Sequence, residues 1–170
     1  MNDIKKKDPH PNKKMSSWGV GPKMTLYLVP FIVLIVSLDF VFGSTFLLPI
    51  NQIWMVILGF ILITIGFFIW SKSRKAINKA YKESKLVTTG IYGHMRHPLY
   101  ASFILFLIPG VACLFNSWIL FLIPIICYII FRITIKKEEN YCMEKFGEKY
   151  AHYRESVYAI FPKLKTYKPE

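Results

Sequence analysis

Acidic residues are scarce in this chain, and its apolar runs are nearly free of them: ten Asp and Glu stand against 22 Lys and Arg, a formal net charge of +12. Cysteine is also rare. Cys113, Cys127 and Cys142 are too few and too badly placed for a disulfide framework or a zinc site, and they read as inert, small apolar side chains. Two connections between long apolar runs, Ser44 to Asn51 and Asn116 to Ser117, carry no charge at all. A cleavable secretory signal is not expected, because the first apolar segment lies behind a polar stretch and has no small-residue cleavage site. The closing "YKPE" is no lipidation box.

Apolar residues are what the chain has in excess. They make up 54% of it, with 14 Phe and a mean hydropathy of +0.36, more than a soluble domain of 170 residues can bury. Four segments, Met24 to Gly43, about Gln52 to Ser71, Leu99 to Phe115 and Trp118 to Ile135, are each long enough at about 1.5 Å per residue to cross a hydrocarbon core of about 30 Å. Every Lys and Arg falls in one of three places: up to Lys23, between Lys72 and Arg96, or from Arg132 onward. Under the positive-inside rule, basic residues in every second connection require an even number of spans with both termini cytoplasmic. The expected fold is therefore an all-α integral protein of the cell membrane, with four transmembrane helices and a cytoplasmic C-terminal helical segment. The net charge is explained by retention beside anionic membrane lipids rather than by nucleic acid, which is not an expected partner.

Three regions follow. Residues 1–23, rich in Lys, Pro and Asn, are expected to be a disordered basic tether without a catalytic role. Residues 24–83 comprise two spans and a basic cytoplasmic extension. In the second span, Gly59 and Gly66 lie two turns apart on one face and admit a close neighbour. Asp39, near the outer end of span one, is close enough to the interface to be solvated, yet as an intramembrane carboxylate it is also a functional candidate. Residues 84–170 comprise the last two spans and the tail. The two-residue connection Asn116–Ser117 predicts a tight antiparallel helical hairpin, with Pro109 and Pro124 bending its arms.

That hairpin would bring together the residues before span three and those after span four. The first group holds Tyr92, His94, Arg96, His97 and Tyr100; the second holds Arg132, Lys136, Lys137, Glu138 and Glu139. Taken singly, each has an ordinary reading as a snorkelling cation, a solvated helix face or an interfacial aromatic. Together they predict carboxylates facing a basic, aromatic strip across a narrow gap.

These motifs carry a resemblance. "LVTTGIYGHMRHPLY", Leu86 to Tyr100, then two apolar helices, then "EENYCMEKFGEKYAHYRESV", Glu138 to Val157, resembles the C-terminal half of the isoprenylcysteine carboxyl methyltransferase family, within a group that includes membrane phospholipid N-methyltransferases. The likeness covers about residues 84–162. It implies S-adenosyl-L-methionine as cofactor, with Tyr92, His97, Tyr100, Glu138 and the segment Lys85, Leu86, Val87 as cofactor-binding residues. One position departs from the pattern. The family's substrate arginine, four residues before the first glutamate, is Thr134 here, and the nearest arginine, Arg132, is about 200° away around a helix.

The residues themselves suit such a cofactor. A carboxylate such as Glu138 can hold its ammonium, His97 or Arg96 its carboxylate, and tyrosine faces its sulfonium. In-line methyl transfer demands alignment and exclusion of water rather than a metal or a covalent nucleophile. The glycine-rich strand-to-helix turn of soluble methyltransferases is missing, since "GVG" at Gly19 to Gly21 has no strand before it. The expected function is methylation of a lipophilic acceptor, either a small molecule or a lipid-modified substrate. Arg96 or Arg132 would neutralise an acceptor carboxylate, whereas Glu139 or His94 would serve as base toward an amine; Arg96, Arg132 and Glu139 are the catalytic candidates. Two other readings stand beside this one, an NADPH-dependent membrane reductase of similar fold and a non-enzymatic four-span protein.

Overall fold

The computed structural model describes residues 18–168, so most of the expected tether, 1–17, lies outside the described residues. Among the described residues, four helices are long and apolar enough to cross a membrane: α1 (Gly21–Phe46), α2 (Gln52–Glu83), α3 (Pro98–Phe115) and α4 (Ile119–Phe146). A short fifth helix, α5 (Glu148–Ser156), follows them. This is the all-α, four-span architecture the apolar runs imply, because a chain in lipid must satisfy its backbone hydrogen bonds internally. The helices overrun the apolar segments. The 32 residues of α2 extend about 48 Å, so its basic end from Lys72 to Lys82 projects past the hydrocarbon. Asn51 caps its start by accepting the Ile53 N–H at 2.9 Å, and Ser84 ends it in a left-handed conformation.

The two inner prolines do different things. Pro109 cannot donate to the carbonyl four residues back, and the preceding turns, Ser102–Leu107, widen into a π-helix in which the Ile108 N–H reaches Phe103. Pro124 lies in the first turn of the α-helical part of α4, where N–H groups have no intrahelical acceptor, so it does not bend that arm near its middle as expected.

Helix α3 packs along α2, and α4 packs chiefly along α1. The two arms of the expected hairpin touch each other, but each packs most extensively on a different neighbour. Glycine sets the α2–α3 approach. A methyl group at Gly59 would lie 2.8 Å from the Gly110 carbonyl oxygen, and one at Gly66 would lie 2.9 Å from Phe106 Cβ. The close approach expected at both glycines is present, and Gly110 is its counterpart on α3.

At the end away from the basic residues, the two uncharged connections pair. Leu48 N–H donates to the Asn116 carbonyl and Trp118 N–H to that of Phe46, both at 2.9 Å. The Ser117 hydroxyl donates to Asp39 at 2.5 Å, so the one carboxylate of α1 holds this turn. At the opposite end the tail runs back over the start of α3. Arg96 and His97 N–H groups donate to the Tyr158 and Ala159 carbonyls at 2.8 Å, and Lys163 and Tyr167 N–H groups donate to those of His94 and Gly93.

Replacing Gly110 by Val is expected to push α2 and α3 apart and to destabilise the fold by about 1–3 kcal/mol. Gly43→Ala, where an added methyl meets nothing within 4 Å, is expected to be neutral. Thermal unfolding in detergent distinguishes them, and equal midpoints would remove the close crossing as a stabilising element.

Candidate active site

The site forms where the tail-braced segment before α3 meets the end of α4. Gly90, at φ +62°, opens a short 3₁₀ turn, and Gly93 has no room for a side chain, with Thr166 Cγ2 2.8 Å from the position its methyl would take. Pro98 starts α3 directly after His97. The backbone of Arg96 and His97 is thus fixed by the tail while both side chains turn inward.

Successive glutamates on a helix diverge by about 100°, so Glu138 and Glu139 hold different partners. Arg96 donates to Glu139 Oε1 through Nη2 at 2.7 Å and through Nε at 3.2 Å. Its Nη1 donates to the Arg154 carbonyl at 2.8 Å and also to that of Val157. Arg154 Nε lies 3.6 Å from the other Glu139 oxygen. Glu138 Oε2 accepts from the Tyr100 hydroxyl at 2.8 Å and from the Val20 N–H at 3.2 Å.

His97 joins the two carboxylates. Its Nε2 is 3.2 Å from Glu139 and its Nδ1 3.6 Å from Glu138. Burial opposes its charge, but hydrogen bonds and Coulomb attraction from Glu138 and Glu139 outweigh burial and raise its pKa above the ordinary value. The ring packs edge-on against the fully buried Phe131, centroids 5.8 Å apart. Tyr92 stays neutral, its phenol pKa pushed up by burial and then by the charge of Glu138. The Tyr153 hydroxyl donates to the Tyr92 carbonyl at 2.6 Å.

Cavities meet at this cluster from two sides. A polar cleft of about 760 Å³ is lined by Lys85, Leu86, Thr88, His152 and Tyr167. It shares Lys85 with an inner cavity of about 110 Å³ that reaches Glu138. A small space of about 40 Å³ then lies between Glu138, His97, Tyr92, Tyr100 and Trp18. On its other side an apolar groove opens between α1 and α3. Its first part, about 250 Å³, contains Trp18, Tyr100 and Phe103, and its second, about 390 Å³, continues from Phe103 to Asp39.

Most of the residues singled out from the sequence come together here. Tyr92, Arg96, His97, Tyr100, Glu138 and Glu139 form the cluster. Lys85, ion-paired to Glu83 at 3.1 Å, and Leu86 wall the outer cleft, with Val87 half-buried beside them. Arg132 does not join them. It is exposed on α4 and donates to the Tyr128 hydroxyl at 3.3 Å on its own helix, because two residues of helical rotation carry it off the Glu138 face. His94 also lies aside, with Nδ1 2.9 Å from the Lys163 carbonyl oxygen.

Trp18, Gly19 and Val20 are the main addition. They fall in the stretch expected to be tether, yet Val20 is buried and its N–H meets both Tyr100 and Glu138. The "WGVGP" run carried the signal, since a Gly-Pro step commonly opens a helix. Arg154 and Tyr153 were also missed, because nothing in their spacing marks which tail residues fold back onto the cluster.

Four spans, with an ion-paired cluster reached by a polar cleft from one side and an apolar groove from the other, define a polytopic membrane protein that can bring a polar ligand to a lipophilic one. The phospholipid methyltransferase family model matches residues 54–149, more than half of the chain and further toward the N-terminus than the motifs alone suggest. The chain belongs to the phospholipid methyltransferase family. It is 29% identical over 134 residues to protein-S-isoprenylcysteine O-methyltransferase B of Arabidopsis thaliana, covering 73% of this chain and 68% of that protein. It is 33% identical over 92 residues to the protein-S-isoprenylcysteine O-methyltransferase of Schizosaccharomyces pombe, covering 54% and 39%. With that of Saccharomyces cerevisiae it shares 34% identity over 105 residues, covering 61% and 44%. The chain thus spans about two thirds of the first of these relatives and less than half of the two yeast ones.

The raised pKa of His97 makes its ion pairs a stabilising contribution that is full below about pH 6.5, the ordinary histidine value, and lost as pH rises through the higher folded value. Wild type is expected to exceed His97→Gln by about 2 kcal/mol at pH 6, with the difference shrinking toward alkaline pH. Thermal midpoints across pH check this, and a difference that grows with pH would contradict it.

Proposed function

We propose that the chain is an S-adenosyl-L-methionine-dependent methyltransferase of the cell membrane whose acceptor is a lipid-anchored carboxylate of the isoprenylcysteine type. The observation that carries this reading is that Tyr100 borders the apolar groove and, with Glu138, the small space beside it, while Glu138 also borders the inner cavity that shares Lys85 with the polar cleft. The family match and the names of the relatives support the reaction class and the acceptor. They support neither the nicotinamide-dependent reductase nor the non-enzymatic reading.

The side chains suit the cofactor. Glu138 would hold its ammonium, the faces of Tyr92 and Tyr100 would lie toward its sulfonium, and Lys85 and Leu86, with Val87 beside them, would wall the cleft for the rest of the molecule. When bound, it supplies a methyl group on a positively charged sulfur, ready for in-line displacement. The protein's part is positioning and exclusion of water. His97, locked between Glu138 and Glu139, would orient Glu138. Phe131 and Tyr100 make an apolar floor.

The acceptor's class follows from what the cluster lacks. Methylating an amine requires a base. Glu139 is engaged by Arg96, Arg154 and His97, and His94 is tied to the tail. A carboxylate acceptor needs no proton removed, only partial neutralisation beside His97 and Arg96. Its lipid would lie in the groove between α1 and α3. The basic end carrying Lys72 to Lys82 would face the cytoplasm, with both termini on that side.

Purified wild type is expected to bind S-adenosylhomocysteine by calorimetry, and Glu138→Ala and His97→Ala should weaken binding about tenfold or more, in line with loss of a charged hydrogen bond of about 1.5–3 kcal/mol. Arg132→Ala should bind as wild type. Folded wild type that does not bind, or Glu138→Ala that binds unchanged, would overturn the assignment.

A further inference from the structure

The turn formed by Trp18, Gly19 and Val20 lies ahead of the family match, which begins at residue 54, yet it stands where cleft and groove meet. Trp18 lines both the groove and the small space at Glu138, and Gly19 lines that space and the inner polar cavity. Contacts to three side chains hold the turn. The Val20 N–H donates to Tyr100 Oη at 3.0 Å and to Glu138 Oε2 at 3.2 Å. The Trp18 ring lies under the Arg74 guanidinium, 3.6 Å from its centroid. Gly19, at φ +56°, is so close that a methyl on it would be 2.2 Å from Glu138 Oε2.

Two spaces border Glu138, one of about 40 Å³ and the inner cavity of about 110 Å³, and Gly19 lines both. On the reading proposed above, Glu138 receives the donor's ammonium. The Val20 N–H and the donor's ammonium therefore compete for the same carboxylate. Gly21 follows as the first residue of α1, and its N–H donates to the Trp18 carbonyl at 3.1 Å.

We propose that the Trp18–Val20 turn is a gate between the donor cleft and the acceptor groove, displaced from Glu138 when the donor binds, and that Trp18 is a specificity-determining wall of the acceptor path. This inference rests on the methyltransferase reading. It adds that acceptor selection is exercised by a segment outside the family-matched region. Once displaced, the indole remains at the groove side, bounding the aperture through which the acceptor's head group reaches the methyl.

Hydrogen exchange and kinetics test it on the full chain in detergent. With saturating S-adenosylhomocysteine, the Val20 amide is expected to exchange at least about fivefold faster as its two acceptors are withdrawn. Exchange unchanged or slowed, with binding verified by calorimetry, overturns the gate. With N-acetyl-S-farnesylcysteine as acceptor, Trp18→Ala should raise the acceptor KM about tenfold, more than it lowers kcat, and Trp18→Phe should restore most of the loss. An acceptor KM unchanged in Trp18→Ala overturns the role of Trp18. Gly19→Ala should weaken S-adenosylhomocysteine binding about tenfold by displacing the Glu138 carboxylate; unchanged affinity counts against shared occupancy. Failure of wild type to bind S-adenosylhomocysteine would sink the underlying function, a result separate from any of these.

Discussion

Charge buried at the edge of a membrane must be paired, and the pairing of Glu138 and Glu139 with His97 and Arg96 is the constraint from which the rest of this molecule follows. An isolated carboxylate moved out of water costs several kcal/mol even after relaxation. Here the cost is offset by splitting the work between two adjacent helical positions. Glu139 is fully committed to Arg96, Arg154 and His97, and so acts as an anchor. Glu138 is held more lightly, by Tyr100, His97 and one backbone N–H, and faces a cavity. One carboxylate is enclosed by cations, and its neighbour borders the cavities.

The pairing also accounts for the shape of the tail. Arg96 has more donors than Glu139 can accept, and the surplus goes to the Arg154 and Val157 carbonyls. The chain beyond α5 is thereby drawn back against residues 93–97, where four backbone hydrogen bonds complete the strap. Glycine at position 93 lets the strap lie close. At the far end of the bundle the same rule operates with weaker partners, as Ser117 and the paired connections satisfy Asp39 and the exposed ends of four helices. Between these ends, α3 on α2 and α4 on α1 leave an apolar groove open.

Much of this was legible because lipid restricts what a chain can do. Apolar runs bounded by charge must be helices, and uncharged connections alternating with basic ones count them. Likewise R-H-P before one span and E-E after the next converge whatever the details, since a two-residue turn returns the chain to its starting side. What spacing could not show is which helix each arm would pack on. That depends on Gly59 meeting Gly110, a match between two surfaces far apart in sequence. Arg132 illustrates the same limit. Its charge and position suggested the site, but helical rotation sends it outward to Tyr128.

The N-terminal turn marks the boundary between the two kinds of information. By composition, "SSWGVGP" belongs with the polar stretch before it, and nothing local contradicts that. Only once α1 is laid against α4 does Val20 come within hydrogen-bonding distance of Tyr100 and Glu138, residues 80 and 118 positions away. The sequence by itself determined the class, the number of spans and the chemistry of the cluster, because these rest on transfer free energies and on charge sign, which each residue carries wherever it sits. Tertiary structure alone decided which carboxylate borders the cavities, which arginine is engaged and what stands between cleft and groove, because those depend on distances between segments that no local preference specifies.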